Sequence, residues 1–169
     1  MVIGPFAGAG GLRPGAAQTG EAGVRPEALK FGRILVPSDV SDASKKALRY
    51  AARFAEQFHS RVILVHVLEP TMSADFATFP LALDEDKVVE AARNRLLHLA
   101  KGFLDERQID SVIVRRGSPF HEIAEAAQEL RVDLIILATH GYSGIKRALL
   151  GSTAERVVRH AQCPVMTVR

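Results

Sequence analysis

The 169-residue chain holds no tryptophan, two tyrosines and a single cysteine. Each shortage excludes something. With so few large aromatics, stacking platforms for single-stranded nucleic acid are scarce. Cys163 alone cannot close an intramolecular disulfide, which suits a reducing, cytoplasmic setting. No uninterrupted apolar run is long enough for a membrane-spanning helix, and the N-terminus lacks the basic start and apolar run of a secretory signal. His59, His66, His98, His121 and His160 show no H-x3-H spacing and no C-x2-C occurs, so no metal site is expected. Charge of one sign is lacking too: 22 Lys and Arg stand against 19 Asp and Glu, a scattered net charge of +3 that argues against a nucleic-acid-binding face. GxxxxGK[ST], a GxGxxG after the first strand and the GxSxG elbow are all missing, which removes the Walker loop, the dinucleotide fingerprint and the α/β-hydrolase nucleophile.

What remains is a chain of ordinary globular composition, 47% hydrophobic and about one domain long. Residues 1–31 are dense in Gly, Ala and Pro and carry no sustained period, so they read as a flexible extension to a domain spanning 32–169. From Gly32 onward the pattern is regular. RILVP, RVILVHV, SVIVRRG, DLIILATHG and CPVMTVR are short, weakly alternating runs, expected of strands covered on both faces. Helices are expected between them: over 43–59, with Ser41 and Asp42 as N-caps; over 86–107; from Pro119, which suits a first helical position, through Arg131; and from Ser152. Strand and helix alternate throughout. The expected fold is therefore α/β, an open, mostly parallel five-stranded sheet with helices on both faces.

In such a sheet ligands collect outside the carboxyl ends of the strands. Asp39 follows the first strand; His140, Gly141 and Gly144 follow the fourth and lead to Gly151 and Ser152. Ser152 with Glu155 three residues on has capping-box spacing, so Ser152 is expected to be the N-cap of the last helix. A helix start offers free amides and a positive dipole end, which favour an anion, and Lys146 and Arg147 lie nearby in sequence. Most capping boxes cap helices and bind nothing, so spacing leaves both readings open. His140 has no carboxylate and nucleophile assigned beside it, which gives no ground for a catalytic role. The segment 70–87 is long for a connector and is a candidate lid or partner surface.

From about Arg33 to Arg169 the chain resembles the universal stress protein family. The resemblance is carried by ILVPSDVSDASKKAL, VILVHV, GSP and, above all, ATHGYSGIKRALLGSTAERVVRHAQCPVMTVR. It implies a Rossmann-like fold related to the adenine nucleotide alpha hydrolases. Family members that bind ATP carry Gly, two residues, Gly, nine residues, then Gly with Ser or Thr. Gly141, the nine residues Tyr142 to Leu150, and Gly151-Ser152 match, while the first position is Ala138, a departure that adds a methyl group. The resemblance implies that Pro37, Asp39, Val62, Ala138, His140, Gly141, Gly151, Ser152 and Thr153 bind the nucleotide, Val62 through its backbone against adenine, with ATP and Mg2+ as cofactors. It further implies a homodimer whose last strands pair antiparallel, with Val165, Met166 and Val168 near the two-fold axis. Two readings follow: a nucleotide-binding regulatory protein of the stress response with no catalytic residues and at most slow hydrolysis, or a dimeric interaction protein that binds no nucleotide, which Ala138 favours.

Overall fold

A computed structural model describes residues 29–70, 84–139 and 150–169. Within them five strands and four helices follow one another as β1 (Arg33–Pro37), α1 (Asp42–Phe58), β2 (Arg61–Leu68), α2 (Glu85–Lys101), β3 (Ile109–Arg116), α3 (Pro119–Glu129), β4 (Leu134–Ala138), α4 (Ser152–His160) and β5 (Val165–Val168). The strands form one sheet in the order β3-β2-β1-β4-β5, every neighbouring pair parallel. The expected α/β architecture is the one observed.

The lack of alternation in the strands has a direct cause. Along β1, Ile34 and Val36 pack with Ala47, Leu48, Leu96 and Ala100 of α1 and α2. Leu35, between them, points the other way and packs with Ile123 and Ala126 of α3 and Val157 of α4. Successive side chains of a strand face opposite sides, so a strand sandwiched between two helical layers is apolar at every step.

Local chemistry sets the element ends. Ser41 caps α1, its side chain accepting from the Ser44 amide at 3.3 Å, and the helix closes on His59 in the left-handed region at φ 54°. The helix expected over 86–107 stops at Lys101: Gly102 turns the chain, its amide returning to the Leu99 carbonyl at 3.2 Å, and buried Leu104 belongs to the turn. An apolar spacing that continues past the glycine hid that stop. β3 starts at Ile109, two residues before Ser111, because Ile109 pairs with Val62 across a register shift in β2. The fold also takes in Phe31, which packs edge-on against Phe54 and Phe58 with centroids 5.9 and 5.1 Å away. Residues 1–28 of the expected extension lie outside the described residues, as do 71–83 of the 70–87 segment.

Between β3 and α3, Gly117 sits at φ 145°, and its amide bonds to the Leu68 carbonyl at 3.1 Å. A Cβ there would also lie 2.6 Å from Glu122 Oε1, although that side chain can swing away. Backbone strain thus sets the cost of a substitution. Gly117→Ala is expected to lose about 1–3 kcal/mol of stability in urea denaturation, and a loss below about 0.5 kcal/mol would show that the backbone relaxes freely.

Candidate functional site

β1 and β4 are neighbours, yet α1 leads from β1 away to β2, while the chain reaches β4 only after β3 and α3. The chain order reverses at this point, and a cleft of about 630 Å³ opens at the carboxyl ends of β1, β2 and β4. Its floor and walls come from the strand ends Pro37, Val65, Leu137 and Ala138, from Ile123 of α3 and from the start of α4.

The turn after β1 is held from several sides. The Ser38 amide donates to the Val65 carbonyl at 2.9 Å, extending the strand pairing by one step. Buried Ser38 Oγ accepts from the Val40 amide at 3.1 Å and donates to Ser44 Oγ at 2.9 Å. Ser44 in turn donates to the Ser41 carbonyl at 2.8 Å, and Asp39 Oδ1 accepts from the Ser41 amide at 3.0 Å. Between these bonds Val40 sits at φ 65°. A β-branched side chain in the left-handed region costs about 1–2 kcal/mol, and such strain concentrates at ligand-binding turns. The surrounding bonds hold the residue there, and with it the direction of Asp39.

On the far side of the cleft, the Gly151 amide donates to the Thr139 carbonyl at 2.7 Å, while the Thr139 amide donates to Val168 at 2.8 Å. This anchors the start of α4 to the end of β4. Gly151, at φ −68° and ψ 153°, is the N-cap, and no side chain caps the helix. The expected capping box is therefore displaced by one residue: Ser152 is the first helical residue and Glu155 falls one position too late to close the box. The hydroxyls of Ser152 and Thr153 are not spent on capping, and the first-turn amides beside them have no acceptor within the helix. All three of Gly151, Ser152 and Thr153 line the cleft.

Of the residues singled out from the sequence, Pro37, Asp39, Ala138, Gly151, Ser152 and Thr153 come together here. Val62 does not. It lies at the opening end of β2, paired with Ile34, fully buried, with its amide committed to the Gln108 carbonyl at 2.7 Å. The cleft instead takes Val65, Val67 and Leu68, because a parallel strand presents its carboxyl end to the site, three and more residues beyond Val62. His140, Gly141, Gly144, Lys146 and Arg147 lie outside the described residues. Sequence reasoning missed His66, Glu69 and Arg95 as cleft residues; the position of the first two at the end of β2 was the available signal, whereas Arg95 reaches the cleft from α2 through tertiary packing alone. Arg115 and Arg116 pair with Glu129 and Glu85, while Arg95 takes part in none of the ion pairs among the described residues.

No group of three or more His, Cys, Asp or Glu side chains suited to a metal occurs among the described residues. No helix among them is long and apolar enough to cross a membrane. Burial, with the charge of Asp133 as a smaller contribution, pushes the Cys163 thiol up, so it is a poor nucleophile. At the β5 edge of the sheet, Val168 is only 6% exposed and packs with Ile34, Leu48 and Ile136, and half-buried Val165 packs with the cluster on the opposite face. Both valines contribute to the core of the chain.

With this geometry in hand, comparison with known proteins is specific. Residues 30–169 match the model of the universal stress protein family. Universal stress protein MJ0531 of Methanocaldococcus jannaschii is 31% identical over 143 residues, which cover 82% of each chain. The solved structure of MJ0577, a universal stress protein of the same organism, superposes with a TM-score of 0.71 at 30% identity over 83% of this chain and 96% of its own. The chain belongs to the universal stress protein family. The fold is shared with two more distant structures, a universal stress protein in complex with cAMP (TM-score 0.55, 23% identity, 83% of this chain and 98% of the other) and one from Archaeoglobus fulgidus in complex with dAMP (0.52, 22%, 83% and 100%).

The hydrogen-bonded turn makes its own prediction. Ser38→Ala removes both bonds of a buried hydroxyl and should cost about 1–3 kcal/mol in urea denaturation. A change below about 0.5 kcal/mol would mean that Val40 and Ser44 find other partners.

Proposed function

We propose that this universal stress protein is a nucleotide-binding regulatory protein of the stress response that holds ATP in the cleft between β1 and β4. The observation that carries the reading is the start of α4: an N-terminus without a side-chain cap, flanked by the Ser152 and Thr153 hydroxyls, opening into the same cleft as the Ser38–Asp39 turn. Amides at a helix N-terminus and the positive end of its dipole suit phosphate oxygens. Pro37, Val65, Ile123 and Leu137 give an apolar wall for a purine, and a cavity of about 630 Å³ is of a size that takes drug-sized ligands. The adenine nucleotides bound by the two distant family members agree with a purine nucleotide of this kind.

Asp39, fixed by the Ser41 amide, stands at the rim where ribose and adenine would lie. Gly141, by the family motif, joins Gly151 around the phosphates, with His140 beside it. Mg2+ would take its ligands chiefly from phosphate oxygens and water, in keeping with the absence of a carboxylate cluster among the described residues. The role is binding rather than turnover, and hydrolysis is at most slow. The alternative, an interaction protein without nucleotide, draws on Ala138, whose methyl group adds to the cleft wall in place of the family's glycine.

Calorimetric titration of ATP with Mg2+ tests the reading. Saturable binding is expected, weakened at least about tenfold in Gly151→Val, whose backbone angles any residue can adopt. Undiminished affinity in that variant, or no binding to the parent protein, would reject it.

We infer further that the protein pairs through β5, the edge of the sheet. The carbonyls of Pro164 and Val168 accept from β4, so the alternating residues Val165 and Thr167 turn their backbone groups outward. Thr167→Pro removes an outward N–H while sparing the bonds to β4, and should give a monomer by light scattering. An unchanged dimer mass would place the contact elsewhere.

A further inference from the structure

We propose that His66 determines ligand specificity in the cleft, accepting through Nε2 a hydrogen bond from an N–H or O–H of the ligand's neutral nucleoside part. The inference rests on the nucleotide reading of the site and adds a residue that the glycine motif does not contain.

His66 Nδ1 lies 2.8 Å from the Ser38 carbonyl oxygen. A carbonyl can only accept, so Nδ1 carries the hydrogen, and in the neutral ring the lone pair is on Nε2. That carbonyl cannot readily swing away, because Ser38 is held through its amide by Val65 and through its hydroxyl by Val40 and Ser44. The tautomer is therefore set by the same turn that directs Asp39.

His66 lines the cleft. Among the described residues Ser60 Oγ is the one buried side-chain polar atom without a partner, so Nε2 is not sealed in the core. No described hydrogen bond involves it, and the half-buried His66 forms part of the cavity lining. The charged groups around this part of the cleft are Asp39 after β1, Glu69 after β2 and Arg95 on α2. Among the described lining residues, α3 contributes the uncharged Pro119 and Ile123, and α4 the uncharged Ser152, Thr153 and Ala154, with Glu155 of its first turn outside the lining. A neutral imidazole among them offers an acceptor, whereas a protonated one offers only donors.

Two sources can supply the donor, the exocyclic amino group of adenine and a ribose hydroxyl. Calorimetry on the full chain separates them with ATP, 2′-deoxy-ATP and purine riboside triphosphate. His66→Gln can keep both bonds and should bind ATP within about threefold of the parent. His66→Phe should bind ATP about tenfold more weakly, and the penalty should vanish for the analogue that lacks the recognised donor.

Long-range 1H–15N NMR of the ligand-free protein supplies a readout independent of any nucleotide. The Nδ1–H tautomer is expected, and the Nε2–H tautomer overturns the proposal. Parent binding with an undiminished His66→Phe affinity overturns this assignment alone. A parent protein that binds none of the three nucleotides overturns the nucleotide reading, and this role with it.

Discussion

One backbone bond beyond the end of β1 organises the cleft. The Ser38 amide donates to the Val65 carbonyl, carrying the β1–β2 pairing one residue past the strand. With Ser38 held in that position, its hydroxyl meets Val40 and Ser44, its carbonyl meets His66, and the chain must turn through a strained Val40 into the cap of α1. The orientations of Asp39 and of the His66 ring follow from this turn. A polar hub at the edge of an apolar sheet is costly unless satisfied, which is why every one of these groups has a partner.

The cleft itself follows from covering both faces of the sheet. α1 and α2 occupy one face, α3 and α4 the other, and the chain changes direction between β1 and β4. Helices that run to either side from adjacent strands leave a gap at the strand ends. The gap is floored by core side chains at the strand ends, Val65 and Leu137, with Ile123 of α3, and edged by the polar turns after β1 and before α4. Anchoring α4 through Gly151 to Thr139, and Thr139 to Val168, makes the α4 side of the cleft depend on the pairing of the last strand. The cleft and the β5 edge are in this way mechanically adjacent.

Much of this could be read along the chain. Apolar runs without alternation announced buried parallel strands, and Pro119, Ser41 and Asp42 marked helix starts that the structure confirms to within a residue. Strand ends gave Asp39, Gly151 and Ser152 as cleft residues, and the family resemblance added Pro37, Ala138 and Thr153. The errors have specific causes. The α2 stop at Gly102 was masked by apolar spacing that continues into the turn, and the capping-box pattern misplaced the α4 N-cap by one residue because Gly151 can occupy that position as readily as serine.

Residue type and periodicity are local, so they were sufficient for the elements, their order and the end of the sheet at which the site lies. That Val67 rather than Val62 borders the cleft follows from the same carboxyl-end rule, once β2 is placed parallel beside β1. The inward turn of Val168, the approach of Arg95 from α2, the seat of Phe31 against Phe54 and the fixed tautomer of His66 required tertiary structure. Each is a relation between residues distant in the chain, and no pattern within a single segment carries it.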